Sequence, residues 1–212
     1  MESIILIGGG GHAKSIIDAI RGGGQWDIVG IIDIESKIGQ NVDDVPIIAT
    51  DAELEKLYKQ GIAYAFVSVG STGETDIRKQ LVEKASDLGF LFPNIIDETA
   101  VIAKNAILGS GNFIGKKAII NAGSCIGNHT IINTGAIVEH DCQIEDYVHI
   151  ATGSVLCGGV KVGEDTHIGA NATVIQYKTI GKNVMIGAGS VVTRDISNAK
   201  KAYGNPCKEV EK

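Results

Sequence analysis

Residues 96–192 repeat with a period of six. Stepping by six from Ile96 reaches Ile102, Leu108, Ile114, Ile120, Ile126, Ile132, Val138, Ile144, Ile150, Leu156, Val162, Ile168, Val174, Ile180, Ile186 and Val192, seventeen aliphatic positions with no insertion. A fixed short period dictates architecture before local propensity does. The residue after the aliphatic one is often glycine, as in IGKKAI, IGNHTI and VGEDTH, and the fifth is usually Ala, Ser, Thr, Cys or Val. Such a hexad is one short flat strand plus a corner: the aliphatic side chain fills the interior, and the small fifth residue lets the next corner turn inward. Three hexads close a triangular coil, so residues one coil apart stack at about 4.8 Å. Strands of a β-sandwich recur at roughly 8–12 residues with looser turns, which this spacing does not match. A parallel β-helix is therefore expected over 93–212.

Residues 1–92 obey different rules. An apolar strand from Ile4 to Ile7 runs into GGGGHA, then the helical stretch AKSIIDAIRG, then a second strand that ends at Asp33. Gly8, Gly10 and Ala13 fit the G-x-G-x-x-A turn, in which glycine lets the backbone approach a pyrophosphate and the following helix start favours an anion. A plain packing turn has the same pattern, and both readings stay open here. DAELEKLYKQ and TDIRKQLVEKASDLG read as helices and AYAFVSVGS as a strand ending in glycine. The strand ends that carry Gly11, Asp33 and Gly70 should gather at one edge of a small parallel sheet, the edge where open α/β sheets bind ligands. A small Rossmann-like α/β domain is expected over 1–92, with FLFPNIID leading into the coils. A dinucleotide redox enzyme is disfavoured, because no catalytic domain remains once the β-helix is set aside.

Charge narrows the partners. With 25 acidic against 19 basic side chains the net charge is −6, without a basic stripe, which argues against nucleic acid and for a small-molecule substrate. The first residues carry no charged leader, and no run of 18 apolar residues occurs, so no membrane span and a cytoplasmic location are expected. Cys125, Cys142, Cys157 and Cys207 form no CxxC pair and are expected to be reduced thiols.

The hexads resemble the bacterial hexapeptide-repeat transferase superfamily, whose members share a left-handed parallel β-helix, commonly form trimers, and mostly move acyl groups from coenzyme A or acyl carrier protein. With the front domain the resemblance narrows to sialic-acid O-acetyltransferase-like sugar acetyltransferases, a family that includes N-acetyltransferases of nucleotide-linked 4-amino-4,6-dideoxy sugars. The motifs that carry it span the chain: GGGGHAK at 8–14, IID with a nearby Lys-x-Gly at 37–39, SVGS at 68–71, VEHDCQIEDYVHI at 138–150, GGVKVG at 158–163 and GNP at 204–206. The resemblance implies an acetyl-CoA-dependent acetyltransferase of bacterial surface-glycan or glycoprotein sugar biosynthesis. Its front domain holds the nucleotide sugar, on Gly10, Gly11, His12, Asp33, Lys37 and Gly70. The histidine of the EHDC motif, His140, is its base. His149 touches the acetyl thioester, and the coenzyme runs along backbone amides at Gly158, Ala170 and Ala188. A homotrimer is implied, and no metal.

The residues agree. His140 stands third in its hexad, at a corner, with the Asp141 carboxylate beside it, and an imidazole suits proton removal as an amine or hydroxyl meets a thioester. Adjacent strand residues point to opposite faces, so the two cooperate only if the corner bends them together. His149 lies nine residues further on, half a coil away, and is expected to need a neighbouring subunit to meet His140. His167 lies one coil beyond His149 and should stack on it, lining the coenzyme groove or forming a surface ladder. Cys142 occupies an inward fifth position, where burial keeps a thiol protonated. Lys178 also falls on a fifth position, so either that corner bulges or the lysine swings outward. Three alternatives stand beside N-acetylation. One is O-acetylation of sialic acid or another sugar. Another is a gamma-type carbonic-anhydrase-like zinc site on the histidines at 140, 149 and 167. The third is a non-enzymatic nucleotide-sugar sensor.

Overall fold

The computed structural model describes residues 1–210, which divide into two compact units: Met1–Ser71 with Thr75–Ile95, and Thr72–Glu74 with the chain from Ile96 onward. No helix among the described residues is long and apolar enough to cross a membrane.

The first unit is a five-stranded sheet with helices, in strand order β3-β4-β2-β1-β5. Strands β1 (Glu2–Ile7), β2 (Trp26–Ile32), β4 (Val45–Ala49) and β5 (Tyr64–Val67) are parallel; the short edge strand β3 (Asn41–Val42) runs antiparallel to β4. Ile4, Ile5, Leu6 and Ile7 are all buried, as expected of a central parallel strand covered on both faces. Helix α1 (Gly11–Gly23) buries Ala13, Ile16, Ile17, Ala19 and Ile20, the stripe that a 3.6-residue period places on one face, and ends at Gly24 in the left-handed conformation. The stretch DAELEKLYKQ is helical for a shorter length than expected. A 3-10 turn over Asp51–Glu53, capped by Thr50 and Glu53, precedes α2 (Leu54–Lys59). Helix α3 (Asp76–Asp87) follows β5.

The second unit is a left-handed parallel β-helix. Seventeen two-residue strands, β6 (Ile95–Ile96) to β22 (Val191–Val192), each end on one of the seventeen aliphatic positions, and those from β6 to β19 each pair in parallel with the strand three further along. A first face is built from β7, β10, β13, β16, β19 and β22, a second from β8, β11, β14, β17 and β20, and a third from β6, β9, β12, β15, β18 and β21. The third face is extended by β23 (Lys201–Tyr203) and the antiparallel β24 (Lys208–Val210). From Ile114 to Val192 every aliphatic hexad position is at most 4% exposed, and together they form one continuous core. The fifth positions join them: Ala118, Ser124, Thr130, Ala136, Cys142 and Val148 are all buried.

The corners have a rule that the residue types conceal. The fourth residue of each hexad from Gly111 to Gly189 has φ between 54° and 73°, whether it is Gly, Lys, His, Asp, Tyr or Asn. This left-handed conformation turns the chain by a third of a coil at every hexad. It also settles Lys178. Tyr177 has the ordinary corner φ of 56°, and Thr179–Ile180 keeps its register with Lys161–Val162, so the corner does not bulge and the partly exposed lysine swings outward.

Candidate active site

His140 leaves β13 (Ile137–Val138) at the corner between the first and second faces, and the next residue, Asp141, takes the left-handed φ of 58°. That turn cancels the strand alternation, so the two side chains meet, with His140 Nδ1 2.8 Å from Asp141 Oδ2. A carboxylate only accepts hydrogen bonds, so Nδ1 carries a proton, and in the neutral ring the free lone pair is on Nε2. Half of the His140 side chain is open to solvent, as a base that must meet an incoming substrate requires. One coil further on, a Cβ built on Gly158 would lie 2.5 Å from His140 Nε2. The imidazole thus rests over a position that only glycine leaves empty. Gly158 was expected to present an exposed amide; it is instead buried, because that ring covers it.

Two residues, one beside His140 and one beside His149, were not singled out in the sequence. Glu139 Oε2 accepts from Asn121 Nδ2 at 3.0 Å and from the His140 amide at 3.3 Å, which fixes a second carboxylate next to the ring. Asn133 Oδ1 accepts the Thr134 amide at 2.8 Å, so its Nδ2 faces His149 Nε2, 3.2 Å away. An amide nitrogen only donates, so His149 Nε2 accepts and its Nδ1 bears the proton. Both contacts join second positions of hexads to a neighbouring coil, and a search at steps near 18 finds them.

His149 is buried on the third face and pairs in register with His167. The rings lie 4.7 Å apart at 79°, edge to face rather than stacked flat. Burial lowers the His167 pKa below the ordinary imidazole value, and its buried Nδ1 has no hydrogen-bond partner among the described residues. Cys142 is buried as its hexad position implies, donates to the Cys157 carbonyl, and has its pKa pushed up to about 11 chiefly by desolvation. The histidines at 140, 149 and 167 form no group that could hold a metal ion among the described residues.

The backbone N–H groups of Gly158, Ala170 and Ala188 meet no acceptor among the described residues. Equivalent corner amides elsewhere are taken by side chains: Ala122 by Asn121, Asn128 by Asp146, Glu164 by Glu145 and Lys182 by Asn198. Ala170 is half-buried and Ala188 exposed, so both remain accessible donors.

At the carboxyl edge of the first unit, Asp33 braces the glycine turn. Its carboxylate accepts from the Gly9 and Ile34 amides, each at 2.7 Å, and from Lys37 Nζ at 2.9 Å. Burial pushes its pKa up, but these bonds outweigh burial and hold it below the ordinary value. Gly8 and Gly9 serve the fold, since an added Cβ would strike Val69 Cγ2 and Asp33 Oδ2 at 2.5 and 2.9 Å. Gly10 and Gly11 do not: a Cβ there meets nothing within 4 Å. Glycine at those two positions leaves the helix start open to a ligand. His12 follows, beside Gly70, with its pKa lowered to about 4 by burial and then by the charge of Arg78. The expected cluster of Gly10, Gly11, His12, Asp33, Lys37 and Gly70 thus stands along one sheet edge.

The hexads and the solved structures that this fold matches mark the chain as an acyltransferase. Residues 3–85 match the PglD N-terminal domain family, and residues 141–176 and 159–194 match the bacterial transferase hexapeptide family. Over 100% of this chain and 98% of the other, at 38% identity and a TM-score of 0.94, the fold matches perosamine N-acetyltransferase from Caulobacter crescentus. That structure is a histidine-to-asparagine mutant in complex with CoA and GDP-perosamine. The acetyltransferase domain of PglB from Neisseria gonorrhoeae, in complex with acetyl coenzyme A, is 34% identical over 99% of both chains, with a TM-score of 0.91. An uncharacterized protein of Acanthamoeba polyphaga mimivirus is 32% identical over 111 residues, 52% of this chain, which spans only 21% of that protein's length. The chain belongs to the hexapeptide-repeat sugar acetyltransferase family.

Proposed function

We propose that the protein transfers the acetyl group of acetyl-CoA to the amine of a nucleotide-linked amino sugar, by direct attack and without an acetyl-enzyme. The observation that carries this reading is His140, with its Nδ1–H held by Asp141 and its Nε2 available at a half-open corner. In the reaction Nε2 takes a proton from the amine as the nitrogen attacks the thioester carbonyl. The C–S bond then breaks, and the proton held on Nε2 passes to the departing coenzyme A sulfur, which leaves as a thiol. Cys142 is no rival nucleophile, since burial keeps it a thiol at neutral pH. His149 is assigned to the acetyl thioester. The unpaired amides of Ala170 and Ala188 are assigned to the pantetheine arm, and Gly158 to keeping room for the base. The open glycine turn, His12 and Gly70 are assigned to the acceptor diphosphate and sugar, with Asp33 and Lys37 holding the turn in shape. The solved relatives with coenzyme A and GDP-perosamine, and with acetyl coenzyme A, support both ligand classes.

A homotrimer completes the reading, because His140 and His149 lie half a coil apart in one chain. The first face supports it. Its outward residues Ile119, Ile137, Val155, Thr173 and Val191 are half-buried, and Val101 is 60% exposed, leaving an apolar stripe in need of a partner. The second face carries, after Ile107, the residues Cys125, Gln143, Lys161 and Thr179 instead. We place the protein in the cytoplasm, a location that its four free thiols suit.

Incubation with acetyl-CoA and a nucleotide-linked 4-amino sugar tests the reaction. The acetylated product should resist mild hydroxylamine, as an amide does. A product cleaved by hydroxylamine would be an ester and would make the enzyme an O-acetyltransferase.

A further inference from the structure

The first unit contains a cleft of about 240 Å³ that the glycine turn does not account for. It opens where β1, β2, β4 and β5 end, and its walls are apolar: Ile32, Ile34, Val69, Ile77 and Leu81. Ile34 and Ile77 are 61% and 65% exposed, an unusual cost for two branched side chains flanking one opening. Clefts that hold whole drug-sized ligands run to roughly 300–1,000 Å³, so this one accommodates a flat ring system and leaves the rest of a larger ligand outside. Gly8 of the glycine turn also lines it, so a base seated here lies beside the turn that carries Gly10 and Gly11, with its ribose and diphosphate left outside the cleft.

The polar groups in the cleft are carboxylates. Asp33 is occupied by Gly9, Ile34 and Lys37. Asp51, two residues past β4, accepts Lys84 Nζ on Oδ2 at 2.8 Å, and no other hydrogen bond reaches its carboxylate from the described residues. A carboxylate on an apolar slot discriminates among bases by chemistry alone, because it only accepts. Guanine presents two adjacent donors, N1–H and the exocyclic amine. Uracil and thymine flank their single N–H with carbonyl oxygens that a carboxylate repels. Cytosine and adenine offer one amine beside a bare ring nitrogen.

We propose that this cleft seats the base of the acceptor nucleotide and that Asp51 selects guanine. This assignment rests on the acceptor being a nucleotide-linked sugar. Asp51 pairs with Lys84 across an exposed surface, where such pairs contribute little to folding, so its variants should fold. Calorimetric titration of GDP, UDP and CDP into the full-length protein and into Asp51→Ala and Asp51→Asn tests it. GDP should bind the native protein at least about 10-fold more tightly than UDP or CDP, the scale of one bidentate contact to a base. Asp51→Ala should bring the three within about 3-fold of one another. Asp51→Asn, which offers one donor and one acceptor, should gain UDP affinity relative to GDP. Tighter binding of UDP or CDP by the native protein, or a GDP preference that survives Asp51→Ala, overturns the guanine assignment and leaves the nucleotide-sugar reading intact. Absence of binding by all three overturns both.

Discussion

At His140 the chemistry turns on the nitrogen that Asp141 does not engage. Asp141→Asn removes the charge that orients the ring and stabilises its cation but keeps an acceptor in place, so kcat should fall by less than in His140→Ala, a comparison that steady-state rates settle. Gly158→Ala should lower kcat at least about 10-fold with little change in melting temperature, because the ring can move aside but then carries Nε2 with it. Unchanged turnover in Gly158→Ala would contradict the placement of the base. His12 makes a separate prediction about pH. Its pKa falls from 6.5 unfolded to about 4 folded, so the unfolded chain takes up the proton first as pH drops. The stability His12 contributes is present above pH 6.5 and lost as pH falls toward 4, by up to roughly 3 kcal/mol at 1.36 kcal/mol per unit. Urea unfolding at pH 7 and pH 5 should show a shallower loss in His12→Gln than in the native protein; identical slopes would remove His12 as the source.

At the scale of the element, the hexad made the β-helix legible, because a residue type repeated at a fixed step reports burial directly. The corners were less legible. Their fourth position shares a φ and no chemistry: Lys117, His129, Tyr147 and Asn171 all adopt it beside glycines. That is why the Asp141 side chain could be named as a partner of His140 while the turn that joins them could not. Strands β3 and β4 were missed for a related reason, since Val45, Ile47 and Ala49 alternate correctly but Pro46 and the short lengths blur the signal. Two stability measurements separate core from corner. Ile150→Ala removes fully buried volume and should cost about 2–5 kcal/mol. Lys117→Gly relieves a side chain held at φ 54° and should raise stability by up to about 1 kcal/mol. A loss on Lys117→Gly would mean that the corner is not strained.

For the whole molecule, the roles in the site were legible only as residue types, while their distances came from the coil. The apolar first face gives the assembly its test: Ile137→Glu places a charge mid-stripe and should lower the mass measured by light scattering from three chains to one. A native protein of single-chain mass would refute the trimer. Direct attack depends on His140, and the direct measurement is the rate of acetyl-CoA consumption with a nucleotide-linked amino sugar, native against His140→Ala. A positioned base contributes roughly 10²–10⁴-fold, about 3–5 kcal/mol of barrier, so the variant should lose that much in kcat while its melting temperature holds. Near-native turnover by His140→Ala, above all if Cys142→Ser abolished activity, would contradict direct attack and replace it with a covalent route.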